Sequence, residues 1–163
     1  MLARNQVVSI VELINKKKEL FKDFMMISQE MVHGDLDLLV ELDERRTEIR
    51  LKLEALDEEM KQIYENESDA DYIVRVLKNV ENRGDVCNEY LEIFDASQDL
   101  LSIAYRVKEN EEQVMANLNK CREQLMEQIK DNQQSSKVIG YLKSLDQNVV
   151  PEGSLLSPNS RNA

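Results

Sequence analysis

The chain is expected to be all-α: an elongated antiparallel helical bundle with coiled-coil-like packing, a long C-terminal helix and a flexible C-terminal tail. Three observations predict this. Proline is absent before Pro151 and the chain has only four glycines, so there is little turn chemistry for hairpins. Charged residues make up 33% and aromatics 5% with no tryptophan, a composition of long helices rather than of a sandwich or an α/β enzyme. Apolar residues recur in three-then-four steps, the mark of helices with one buried seam. The helices are placed at about residues 3–32, 36–66, 70–83 and 85–145, forming one bundle over 1–145, with a tail over 146–163.

The first helix carries the stripe Val7, Ile10, Val11, Ile14, Phe21, Phe24, Met25, Met31 and Val32. Lys16, Lys17 and Lys18 interrupt it. Three consecutive residues spread over about 200° of a helix, so at least one lysine faces inward and must snorkel its ammonium outward. His33-Gly34-Asp35 closes this helix, with Gly34 suited to a left-handed C′ position and Asp35 to the next N-cap. So short a turn makes an antiparallel hairpin.

The second helix has a seven-residue repeat. One seam position holds Leu42, Ile49, Leu56 and Ile63; its partner holds Leu39, Arg46, Leu53 and Met60. Arg46 breaks the pattern. It either pairs with a carboxylate of a neighbouring helix and fixes register, or bends out to water. An acidic link follows, with Ser68 and Asp71 spaced as a weakened capping box for a short third helix. That helix ends near Arg83-Gly84, or runs on into the fourth, which Asp85 would cap.

The fourth helix is the longest. Its seam is Val86, Tyr90, Ile93, Ser97, Leu100, Ala104, Val107, Val114, Leu118, Cys121 and Leu125, with Glu111 where an apolar residue is wanted. Unbroken from Asp85 to Leu145 it would measure about 90 Å, whereas the first two helices reach about 45 Å each. In an up-down-up bundle its second half passes the His33-Gly34 turn with no partner from this chain. That half stays amphipathic through Leu118, Cys121, Leu125, Met126, Ile129, Val138, Ile139, Tyr141 and Leu142, which are the candidate partner-binding residues. The alternative is a break near Asn132-Gln-Gln-Ser-Ser136, with the last segment folded back onto the bundle.

Catalytic and cofactor chemistry is not expected. The single histidine, His33, makes a Glu-x-x-His spacing with Glu30, but a di-iron bundle needs two such motifs and two further glutamates. There is no P-loop, Gly-x-Gly-x-x-Gly, Gly-x-Ser-x-Gly or Cys-x-x-Cys, so no enzyme, cofactor or metal is predicted. The formal charge is −11, concentrated in residues 35–71, whose fourteen acids and five bases give −9. Such a surface disfavours nucleic acid and anionic lipid. No apolar run is long enough to span a bilayer. Cys87 and Cys121 lie on or beside the seam, as small hydrophobes of a reducing compartment.

The segment Gly34-Asp-Leu-Asp-Leu-Leu-Val-Glu-Leu-Asp-Glu-Arg-Arg-Thr-Glu-Ile49 resembles the flagellar export chaperones of the FlgN type, with the FliT type similar. The likeness in size, acidity and helical layout covers most of residues 1–145. It implies a small cytoplasmic protein without catalysis. Such a protein binds helical C-terminal segments of flagellar hook-associated or cap subunits, prevents their premature assembly and delivers them to an export gate component. In that family the C-terminal helix carries the substrate, and a tyrosine near its end is associated with gate docking; Tyr141 is the only tyrosine here placed to match. A structural coiled-coil adaptor, or a homodimer joined through residues 118–142, is the competing expectation.

Overall fold

The computed structural model describes the backbone of residues 1–162 and the side chains of residues 1–140 and 142–144. The elements are α1 (Arg4–Met31), α2 (Leu36–Tyr64), α3 (Ala70–Leu77), single 3-10 turns at Arg83–Asp85 and Asn88–Tyr90, and α4 (Leu91–Asn162). No strand occurs among the described residues, and the fold is an all-α antiparallel bundle with a long last helix. The chain divides into two compact units, Met1–Asn119 and Lys120–Ala163. Helix α4 contributes to both.

In the first unit α1 and α2 form the expected hairpin. Asp35 caps α2, its carboxylate accepting from the Leu38 N–H at 3.0 Å. Gly34 does not play the expected part: no glycine among the described residues has a positive φ, and α1 ends at Val32 in right-handed geometry. Gly34 is buried, and a Cβ there would meet the Cδ2 atoms of Leu38 and Leu39 at 3.4 Å, an ordinary contact, so neither backbone nor space requires glycine at this turn.

The α2 heptad is the buried face of that helix. Leu39, Leu42, Arg46, Ile49 and Met60 are buried, and Leu53, Leu56 and Ile63 half-buried. On α1 the core takes Val7, Ile10, Leu13, Ile14, Phe24, Ile27, Ser28 and Met31; Leu13, Ile27 and Ser28 fall outside the expected stripe, while Val11, Phe21, Met25 and Val32 flank it half-buried. Of the lysine triplet, Lys17 and Lys18 lay their stems along the bundle and pair with Asp57 and Asp99, the latter at 3.5 Å. Lys16 is exposed.

Helix α4 runs parallel to α1. Lys18 meets Asp99, the Ser28 hydroxyl donates to Glu111 at 3.4 Å, and the Asn117 amide donates to the carbonyls of Met31 (2.6 Å) and Gly34 (3.1 Å). Those carbonyls are left over where α1 ends, and Asn117 satisfies them.

The middle of the chain departs from expectation. Helix α3 is eight residues long and is separate from α4. It stops at Asn79, the one non-glycine residue among those described with a positive φ (53°), where Val80 N–H reaches back to the Arg75 carbonyl at 3.0 Å. This is a Schellman ending with asparagine in the left-handed place. The Asn79 amide also donates to the Val76 and Phe94 carbonyls, tying the stop to α4. The expected capping box does not form, because α3 begins one residue later than Ser68 would require. Asp69 holds the cap position, and its carboxylate turns to the Tyr90 hydroxyl instead. Asp85 does not cap the long helix either. It lies in a 3-10 turn and accepts from the Asn82 amide, and α4 begins at Leu91.

Tyr90 anchors this end. Its hydroxyl donates to Asp69 at 2.7 Å and accepts the Leu2 N–H at 2.9 Å, in a cluster with Ile10, Ile14, Met60, Ile73, Val76 and Ile93. Burial, then the hydrogen bond to Asp69, pushes the phenol up from its usual 10 to about 12. The same bond, the largest influence on Asp69, holds its carboxyl below the usual range.

At the other end of the chain the long helix was expected to stop near Leu145. Helical backbone continues to Asn162, and the expected flexible tail falls on residues whose side chains lie outside the described ones.

Candidate partner-binding surface on the last helix

Written as heptads, α4 has two seam positions. One holds Ser97, Ala104, Glu111, Leu118, Leu125, Asn132 and Ile139; the other holds Ile93, Leu100, Val107, Val114, Cys121, Gln128, Ser135 and Leu142. In the first unit these residues are all buried or half-buried, from Ile93 through Leu118. The seam is therefore the face on which α4 joins the bundle.

The same repeat continues in the second unit, where burial ends. Cys121 is half-buried, and every residue from 122 to 140 is exposed. Leu125, Met126, Ile129, Val138, Ile139 and Leu142 show between 38% and 60% of their surface. Of the candidate residues, Leu118 thus belongs to the bundle, beside the Asn117 bridge to the α1–α2 turn. Cys121 stands at the edge, and the other six apolar ones are open to solvent. The Tyr141 side chain lies outside the described residues.

The open seam is not uniformly apolar. Gln128, Asn132 and Ser135 interrupt it between Leu125 and Ile139. On a straight helix of 3.6 residues per turn, Ile139 and Leu142 lie about 60° round from Leu118 and Cys121. A 3.5-residue repeat brings them back into line. Supercoiling about a partner therefore draws the two apolar patches toward one face. Polar seam residues of the Asn132 kind fix register and partner choice at some expense of stability. The surface therefore suits another helix whose own seam turns polar in its middle.

A second feature was visible only in halves. Arg46 and Glu111, the two residues that break their seams, are partners: Nη2 lies 2.7 Å from Oε1. Arg46 is 3% exposed. Its guanidinium stacks 4.4 Å from the Phe24 ring centroid, and Nη1 lies 3.2 Å from the Met31 sulfur. Each alone reads as an anomaly in a repeat; their equal rank as misfits was the available signal. Arg46 sits in the segment that carries the family resemblance. There Leu39, Leu42, Arg46 and Ile49 are buried and Asp35 is a cap, so those residues specify the hairpin and its register with α4.

Among the described residues no group of three or more His, Cys, Asp or Glu side chains is placed to hold a metal ion. None of the described helices is long and apolar enough to cross a membrane. No family model, curated protein or solved structure matches the chain.

Proposed function

We propose that the protein is a non-catalytic cytoplasmic export chaperone of the flagellar kind. It would bind a helical C-terminal segment of a hook-associated or cap subunit on residues 118–142, keep that segment from assembling early, and hand it to an export gate component. One observation carries this reading: the heptad that forms the buried seam of the first unit recurs in the second as an exposed face. Covering six exposed apolar side chains gains on the order of 10 kcal/mol gross, before ordering and association costs. The polar interval at Gln128, Asn132 and Ser135 tempers that gain, as release at a gate requires. The likeness of residues 34–49 to the FlgN type adds the class of cargo.

The test is co-expression with hook-associated and cap subunits, followed by affinity capture. The wild-type chain retains a subunit at defined stoichiometry, and the Leu125→Asp/Ile129→Asp double variant releases it. Failure to retain any flagellar subunit removes the reading. A self-associating adaptor is the second reading, favoured by Asn132 at a seam position. It requires a homodimer through residues 118–142 in light scattering, and a monomer excludes it.

A further inference from the structure

The first unit has three long helical stretches and one short helix, and the short one leaves most of its place unfilled. Two cavities line up along α1, between α2 and α4. The first, about 460 Å³, is bounded by Ile14, Asp57, Tyr64, Leu77, Ser97 and Leu100. The second, about 430 Å³, is bounded by Phe21, Arg50, Leu53, Ala104 and Lys108, with Arg46 among its walls. Each helix advances by one turn from the first to the second: Lys17 to Phe21 on α1, Asp57 to Leu53 on α2, Leu100 to Ala104 on α4. Together they run from the level of Ser97 to that of Glu111, about 21 Å of α4.

Helix α3 shows what fits this position. Its Ile73 and Val76 are fully buried in the core shared with α1, α2 and α4, and its Val74, Leu77 and Lys78 form one wall of the first cavity. At Asn79 the Schellman turn ends it. No α3 residue lines the second cavity.

Charge separates the two ends. Around the second cavity Arg46, Arg50 and Lys108 face only Glu111, whereas around the first Glu54, Asp57 and Glu58 are balanced by Lys17, Lys61 and Lys78.

We propose that this groove docks an amphipathic helix of a partner protein, about fourteen residues long, laid end to end with α3. Its apolar face covers Phe21, Leu53, Leu100 and Ala104. A carboxylate at one end meets Arg50 and Lys108. This site is on the first unit and does not rest on the reading of residues 118–142.

The probe is a fluorescein-labelled, hydrocarbon-stapled helix of about sixteen residues, with leucines at i, i+3, i+4 and i+7 and glutamates at one end. It is titrated against the full chain by fluorescence anisotropy. Saturable binding is expected. Ala104→Trp, which fills the second cavity, and Lys108→Glu, which changes only an exposed rim charge, each weaken it about tenfold or more. Glutamine in place of the probe's glutamates weakens it similarly. Leu125→Asp/Ile129→Asp leaves it within about twofold. Far-ultraviolet circular dichroism checks that the Ala104→Trp chain is folded. Absence of saturable binding, equal binding by both groove variants, or loss of binding only in the 125/129 variant overturns the proposal. A wild-type dimer that Ala104→Trp or Lys108→Glu converts to monomer also overturns it, since the occupant is then a second copy.

Discussion

Removing Glu111 tests the polar crossing of the bundle most sharply. In the Glu111→Ala chain the Arg46 guanidinium stays where it is, 3% exposed, with its carboxylate gone. What remains is the Phe24 ring at 4.4 Å and the Met31 sulfur at 3.2 Å. Breaking a buried pair by removing one partner costs about 3–5 kcal/mol. Glu111 is itself 32% exposed, so water can enter its place, and the expected loss is near the lower end, about 3 kcal/mol. Replacing both members by apolar residues, Arg46→Met with Glu111→Leu, removes the stranded charge. That double variant should lie within about 1 kcal/mol of the wild type. The assay is urea unfolding followed by the near-ultraviolet tyrosine signal; four of the five tyrosines, Tyr64, Tyr72, Tyr90 and Tyr105, belong to the first unit. A single variant that loses under about 1 kcal/mol, or a double variant as unstable as the single, refutes the assignment.

Other outcomes follow from the same geometry. Tyr90→Phe leaves the buried Leu2 N–H without its acceptor and Asp69 without its donor, and should lose about 1–3 kcal/mol in the same unfolding assay. Because Tyr90 is held at about 12 when folded and near 10 when unfolded, its contribution to stability is complete below pH 10 and is lost as pH rises toward 12. The loss is about 3 kcal/mol, absent in the phenylalanine variant. Asp69 works in the opposite sense: its lowered carboxyl contributes above the usual carboxylate range, and the contribution disappears as pH falls through the folded value. Asp35→Ala should cost about 1 kcal/mol by loss of the α2 cap. Gly34→Ala should change stability by less than about 0.5 kcal/mol, since φ is not positive and the new Cβ meets Leu38 and Leu39 at ordinary contact; a larger loss would show a left-handed turn.

Helix period was legible in the sequence because each seam is long. The heptads of α2 and α4 fixed their buried faces to within a few side chains, and length alone placed the α1–α2 turn near Leu118, next to the Asn117 that binds it. Turn chemistry was less legible. Asn79 ends α3 where glycine was sought at Gly84, because asparagine also tolerates the left-handed region. Ser68 and Asp85 look like caps in sequence, but α3 takes Asp69 as its cap residue, with that carboxylate turned to Tyr90, and Asp85 accepts from Asn82 in a 3-10 turn. The candidate surface was legible as an amphipathic stripe. Its division by Gln128, Asn132 and Ser135 shows only when the heptad is carried over from the buried part of α4. The Arg46–Glu111 pair needed the register of two helices sixty-five residues apart in sequence, which no local pattern carries.

The most direct test is amide hydrogen exchange across residues 118–142, in the free chain and in the complex captured with a hook-associated or cap subunit. Rapid exchange from about residue 122 onward in the free chain, slowed at least about tenfold in the complex, is the predicted result. Equal exchange in the two states, or protection already present in the free chain, contradicts it.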